Sequence, residues 1–168
     1  MVAESKDEGA TMKDIIEILD ENLKYIEHQI DGDYIEVIVE SRRDEVSCPD
    51  CRTLSSRIHS TYSRSFQDLP IQGKKVYIKI DNRKYFCDEQ NCSNTTFAES
   101  FDCVKPKAKK SERLKNEIIK ISVEISSNAA SKILSEGVVD ISKSTICDML
   151  KKNNENDRQS KHQENLHR

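Results

Sequence analysis

Two short stretches, Cys48-Pro49-Asp50-Cys51 and Cys87-Asp88-Glu89-Gln90-Asn91-Cys92, decide how the rest of the chain is read. A pair of cysteines separated by two to four residues presents two thiolates on one side of a tight knuckle. Two such knuckles facing each other make a closed tetrahedral sulfur site, the usual structural arrangement for Zn²⁺. The 35 residues between the pairs leave room for two or three strands. A redox Cys-x-x-Cys calls for a βαβ context, which is not visible here. Ligand type alone leaves Fe²⁺ open in the same cage. His59 is a further possible ligand, but four thiolates already fill a tetrahedron, so it reads as a strand-face histidine. Cys103 and Cys147 stand apart and read as small buried or half-exposed hydrophobes.

The composition fits a metal-supported fold. Of the 168 residues, 35% are hydrophobic and 34% charged, which is little apolar material for one large core. Metal binding compensates, because ligand binding free energy becomes folding free energy in small domains. No apolar run approaches the ~18 residues of a membrane helix, so no membrane partner is expected. The first residues are polar and acidic rather than the apolar core of a signal peptide. A cytoplasmic setting follows as the expectation, one where paired cysteines hold metal rather than form disulfides.

The net charge of −3 hides an uneven distribution. Residues 1–47 carry 5 basic and 14 acidic side chains, net −9. Residues 48–110 carry 12 and 7, net +5, and residues 111–168 carry 10 and 9, net +1. Base concentrated on and just after the cysteines points to a polyanionic partner for the middle of the chain.

The spacing of apolar residues then gives the elements. Residues 1–12 read as disordered, and Lys13 to Asn22 as a short amphipathic helix carrying Ile15, Ile16, Ile18 and Leu19. Asp31-Gly32 between β-formers signals a hairpin, with Ile35, Val37 and Val39 on one face of its second strand. Between the cysteine pairs, Arg57–Phe66 and Lys75–Asp81 alternate as strands, with Asp68-Leu69-Pro70-Ile71-Gln72-Gly73 as the turn. Residues 13–103 are therefore expected to form a small antiparallel zinc ribbon, and 104–110 a basic linker. Over 111–152, Ser111 reads as a helix cap before Leu114, Ile118, Ile121 and Ile125. Asn128 reads as the cap of a second helix ended by Gly137, and Ser142 as the cap of a third carrying Ile146, Met149 and Leu150. Three short helices with a glycine-containing turn before the last describe a helix-turn-helix, although a plain three-helix bundle gives the same pattern. Residues 153–168 lack periodicity and read as a disordered polar tail. The predicted class is α+β, a β zinc ribbon followed by a three-helix segment.

Several stretches together resemble one family. Cys48-Pro49-x-Cys51, Arg57-x-His59-Ser60-x-Tyr62-x-Arg64, Asp68-Leu69-Pro70-Ile71-x-Gly73, Arg83-Lys84-Tyr85-Phe86-Cys87, Cys92 and Thr96-Phe97-Ala98-Glu99 are similar, in order and spacing, to the zinc-finger region of bacterial insertion-sequence transposases of the ISL-three family. The resemblance covers about residues 13 to 152 and implies a zinc finger followed by a helix-turn-helix. Ile141-Ser142-Lys143-Ser144-Thr145-Ile146 looks like the opening of its last helix. In the family a DDE-type catalytic domain of RNase-H-like fold follows, with three carboxylates and two metal ions. Here Glu124, Glu136, Asp140 and Asp148 are scattered through a helical segment too short to build such a site. The resemblance therefore implies the DNA-binding half of a transposase, without its catalytic domain.

On that reading the ligands of a Zn²⁺ ion are Cys48, Cys51, Cys87 and Cys92. Lys143, Ser144, Thr145 and Asp148 would read base edges of double-stranded DNA in the element's terminal inverted repeats. Lys105, Lys107, Lys109, Lys110 and Arg113 would meet phosphates, together with Arg83, Lys84 and Lys151. Lys105 to Lys115 holds six bases in eleven residues against Glu112 alone, a clustering that single surface charges do not explain. Self-association or a full-length transposase is a second expected partner. The competing readings are a protein-interaction or assembly module built on the ribbon and a complete nuclease, the latter disfavoured by the missing carboxylate constellation.

Overall fold

The computed structural model describes residues 11–166. The disorder expected for residues 1–12 falls largely on 1–10, outside the described residues. Chain order begins with a capping box: Thr11 accepts from the Asp14 amide at 3.4 Å, and the Asp14 carboxylate takes the Thr11 amide at 2.7 Å. This fixes the start of α1 (Met12–Leu19). The helix stops short of the expected Asn22 because Asp20 turns extended and its carboxylate takes other amides, those of Asn22, Asp102 and Cys103 at 3.0, 2.9 and 3.3 Å.

Two hairpins make the sheet. β1 (Leu23–Asp31) and β2 (Tyr34–Ser41) pair antiparallel around Gly32-Asp33, where Gly32 takes φ 51°. β5 (Ile58–Ile71) and β6 (Lys74–Phe86) pair around Gln72-Gly73, both at positive φ, the type I′ geometry that suits a two-residue hairpin. The turn expected over Asp68–Gly73 is thus confined to its last two residues. Pro70 is carried inside β5 because β5 is an edge strand, and a register irregularity between Asp68 and Ile71 spares the ladder its missing N–H.

The sheet order is β1-β2-β6-β5, with β7 (Thr96–Ala98) pairing the far end of β6. β2 and β6 run parallel, Tyr34 opposite Lys75 through Val39 opposite Ile80, so the sheet is mixed and not purely antiparallel as expected. The second strands of both hairpins leave their turns in the same direction. Laying them side by side places Ile35, Val37 and Val39 in rows with Val76, Ile78 and Ile80 on one face. That face is buried under Ile16 of α1 and under Phe101, Cys103 and Val104. The opposite face is polar, with pairs such as Lys24–Glu40 and Lys79–Glu36.

Residues 104–110, expected to be a linker, instead lie along β5. Gln67 donates its amide to Lys109 O at 2.9 Å and accepts the Ser111 amide at 2.9 Å, while Arg64 reaches the carbonyls of Lys105 and Ala108. Beyond it come α2 (Glu112–Glu124), α3 (Ser127–Ser135) and α4 (Lys143–Leu166). Ser111 caps α2 as expected, accepting from the Leu114 amide at 3.2 Å. Ser126, not Asn128, caps α3, and Ser142 accepts from the Thr145 amide at the start of α4. α4 runs on through Leu166, so the described part of the expected tail is helical rather than disordered.

Leu114, Ile118, Ala130, Leu134, Val139, Ile141 and Ile146 close a second core, and Leu69 of β5 packs into it. The same strand therefore serves both cores, Phe66 facing the sheet core and Leu69 the helical one.

Candidate metal centre and basic surfaces

Each knuckle is built by local hydrogen bonds. In the first, the Cys48 amide donates to Thr53 O at 2.9 Å and the Arg52 amide to Cys48 O at 3.0 Å, with Arg52 at φ 66° closing the turn. It joins β3 (Val46–Ser47) to β4 (Leu54–Ser55), a two-stranded ribbon. In the second, the Cys87 amide donates to Thr95 O at 3.0 Å and the Cys92 amide to Glu89 O at 3.1 Å. The Asp50 carboxylate ties the knuckles together by accepting from Ser93 Oγ at 3.3 Å and Asn94 Nδ2 at 2.7 Å. Val46, Cys48, Tyr85 and Phe97 form a small buried core behind them, the two rings stacked with centroids 6.1 Å apart.

The four sulfurs lie within 4.8 Å of one another, and among the described residues they are the one group of three or more His, Cys, Asp or Glu side chains so gathered. Tetrahedral coordination with bonds of about 2.3 Å places ligand sulfurs about 3.8 Å apart. Cys48 and Cys92 stand 3.8 Å apart, and Cys51 and Cys87 3.5 Å. Both short contacts join one knuckle to the other, as a shared ion requires. A disulfide needs about 2.05 Å, and all six cysteines are free.

The thiols compete for negative charge. Hydrogen bonds from Thr53, side chain and then amide, draw Cys51 down to about 6. The Glu89 amide favours a Cys87 thiolate, but burial and the neighbouring sulfurs outweigh it and push Cys87 up to about 12. Cys92 is likewise raised, burial and the Cys51 and Cys48 sulfurs overcoming the Asn94 amide. A divalent cation removes the conflict by stabilising every thiolate at once. Donor set, spacing and amide support together fit zinc.

The other two cysteines have separate roles. Cys103 is buried in the sheet core, where burial and Asp20 push its thiol up to about 12. Cys147 donates to Ser127 Oγ at 3.5 Å. His59 lies edge-on to Phe86, centroids 4.8 Å apart, and does not join the sulfurs.

The expected DNA-contacting residues fall into two sets. Lys143, Ser144, Thr145, Asp148 and Lys151 are exposed on the first turns of α4, and Lys105, Lys107 and Lys109 are exposed on the strap along β5. Lys105, Thr145 and Asp148 line one groove of about 500 Å³ between α2 and α4, with Lys115, Asn116 and Lys152. Lys152, which the sequence did not single out, stands one helical turn from Asp148. Lys105 and Lys115 both reach Glu112, at 3.4 and 2.5 Å. Lys110 is half-buried, and that burial lowers its pKa. Arg113 is not displayed for phosphate: it grips the Asp68 carboxylate. Arg83 and Lys84 belong to the metal end of β6, where Arg83 donates to Arg43 O at 3.0 Å.

No helix among the described residues is long and apolar enough to cross a membrane. Residues 44–92 match the family model described as the zinc-finger of transposase IS204/IS1001/IS1096/IS1165. Neither a curated protein nor a solved structure matches the chain. The matched segment runs from just before the first knuckle to Cys92 and so contains all four sulfurs, and over these residues the chain is similar to the zinc-finger of such transposases.

Proposed function

We propose that this chain is the zinc-dependent DNA-binding part of an ISL-three-type transposase and recognises the terminal DNA of its element. α3 and α4 act as a helix-turn-helix, with α4 as the recognition helix. The observation that carries the reading is the exposed first turn of α4. There Lys143, Ser144 and Thr145 stand free of the helical core, and Thr145 and Asp148 border a groove shared with Lys105, Lys115 and Lys152. Hydroxyl and amino groups on a helix N-terminus suit base edges in the major groove, and the flanking lysines suit phosphates. The zinc ion is structural, since four protein sulfurs leave no position for an activated water.

The same reading assigns DNA binding without cleavage to these residues. Two-metal phosphodiester chemistry needs carboxylates that hold ions about 3.5–4 Å apart. Glu124 ends α2, Glu136 caps α3, Asp140 pairs with Lys75 at 2.8 Å, and Asp148 lies on α4. Selection of bound duplexes from a random library tests the proposal. Enrichment of one sequence, with discrimination lowered by Lys143→Glu and Thr145→Ala, is the expected result. Absence of any enrichment, or enrichment unchanged by both variants, would remove α4 as the reader.

A further inference from the structure

Acids make up 30 of the 168 residues, yet none occurs between Cys51 and Gln67. That stretch carries Arg52, Arg57, His59 and Arg64 among a run of hydroxyl side chains. The structure displays its middle: Ser56 through Ser63 are exposed one after another, although residues 58–63 are paired strand. A sheet strand normally buries alternate residues, but this arm is exposed on both faces and packs only at its margin, as where His59 and Arg57 meet Phe86. β5 is also the terminal strand, and the strap of residues 104–110 meets it from Arg64 onward, with a backbone bridge at Gln67, beyond the Ser56–Ser63 stretch. Across the ladder, Arg83 stands opposite Thr61 and Lys84 opposite Ser60. The nearby acids are Asp88, held by Arg57 at 2.5 Å, and Asp81, opposite Ser63.

A strand edge rich in hydroxyls and cations, flanked by only Asp88, already paired to Arg57, and Asp81, is matched to a polyanion. Ser, Thr, Tyr and Arg side chains and free backbone amides are the groups that hold DNA phosphates. We propose that the Ser56–Ser63 arm, the start of β5 and the two residues before it, is a second duplex-DNA contact that tracks the phosphate backbone apart from α4. This rests on the reading that the chain binds duplex DNA. Gln67 is where β5 meets the helical unit, its Nε2 donating to Val138 O at 2.9 Å. Ser60 lies seven residues up the strand, about 23 Å away at about 3.3 Å per residue. That span, from the arm to the junction with the helical unit, is shorter than one turn of DNA, about 34 Å, and is carried by one continuous strand.

The test uses the full zinc-loaded chain and a random-sequence duplex of about three helical turns, with binding measured across a salt series. Thr61→Glu/Ser63→Glu should weaken binding about tenfold or more, and Lys84→Gln should lower the log–log salt slope by about one, with zinc content unchanged. Lys84→Gln, exposed opposite Ser60 and outside the knuckles, decides the matter if the double variant misfolds. If the arm variants bind as the parent does while Lys107→Gln/Lys109→Gln weakens binding, the arm assignment is overturned and the helical reading stands. If the arm variants lose binding and the lysine variant does not, the arm stands and the lysine strap falls. A parent chain that ignores duplex but takes single strands or an RNA hairpin overturns both.

Discussion

Arg113 closes a fork on Asp68, its Nε donating to Oδ1 at 2.8 Å and a terminal amino group to Oδ2. The carboxylate is 3% exposed and the guanidinium 35%, and Ser111 Oγ adds a third hydrogen bond at 2.6 Å. Ser111 is also the cap of α2, so one buried acid joins β5 to the first turn of the helical unit. Leu69, next in sequence, enters the helical core.

Breaking a buried pair by removing one partner costs about 3–5 kcal/mol, because the survivor is left uncompensated. Arg113 retains some solvent, so the lower end applies. We expect Asp68→Ala to destabilise the chain by about 3 kcal/mol and to loosen α2 while zinc stays bound. Arg113→Leu should cost less than Arg113→Ala, since the longer side chain keeps the packing of the stem. Denaturant unfolding with parallel zinc analysis measures both. Equal stability of Asp68→Ala and parent would mean the fork is incidental.

Metal removal should act locally. The sulfur cage has its own small core of Val46, Cys48, Tyr85 and Phe97, separate from the sheet core around Val37 and Ile78 and from the helical core. Elemental analysis should give about one zinc per chain, and Cys87→Ser should lose it. Hydrogen exchange after chelation should then rise across residues 46–55 and 85–97, with α2 and β2 still protected. Protons compete with the metal for four thiolates, so lowering the pH favours the released form and zinc affinity falls with acidity. Zinc retained stoichiometrically by Cys87→Ser would refute the ligand set.

Arg52 holds φ 66° in the first knuckle, a conformation that costs an ordinary L-residue about 1–2 kcal/mol and glycine little. Arg52→Gly should therefore raise the thermal midpoint of the zinc-loaded chain. Arg52→Val, which adds β-branching at the same backbone, should lower it. The pair of midpoints checks the strain directly, and a Gly variant less stable than Val would show that the arginine side chain outweighs its backbone cost.

Local features of this fold were legible and non-local ones were not. The knuckles could be read because two cysteines a few residues apart constrain each other whatever the rest of the chain does. Ser111 could be read as a cap because capping spans three residues. Alternation in β2 and β6 identified the buried face, but period two says which side a residue faces and not which strand lies alongside, so the parallel pairing was invisible. Pro70 suggested a turn since the sequence does not reveal that its strand is an edge. Arg113 sits in a run of bases that invites one common role. Its partner is 45 residues away, and only the folded chain shows that it is taken.

That distinction sharpens the last prediction. Lys107 and Lys109 are exposed on the strap, whereas Lys110 is half-buried and Arg113 is committed to Asp68. Only the first two are free to neutralise phosphates without disturbing packing. Each phosphate contact releases condensed counterion, and its loss reduces the salt slope by about 0.9 on duplex DNA. Lys107→Gln/Lys109→Gln should therefore weaken specific and random duplex to a similar degree and lower the slope by about two. Arg113→Gln should instead reduce binding only in proportion to the folded fraction it loses, leaving the slope of the remaining folded protein unchanged. Titrations at several salt concentrations, run beside a thermal melt of each variant, separate the two behaviours. A salt slope that drops for Arg113→Gln and holds for the lysine pair would reverse the assignment.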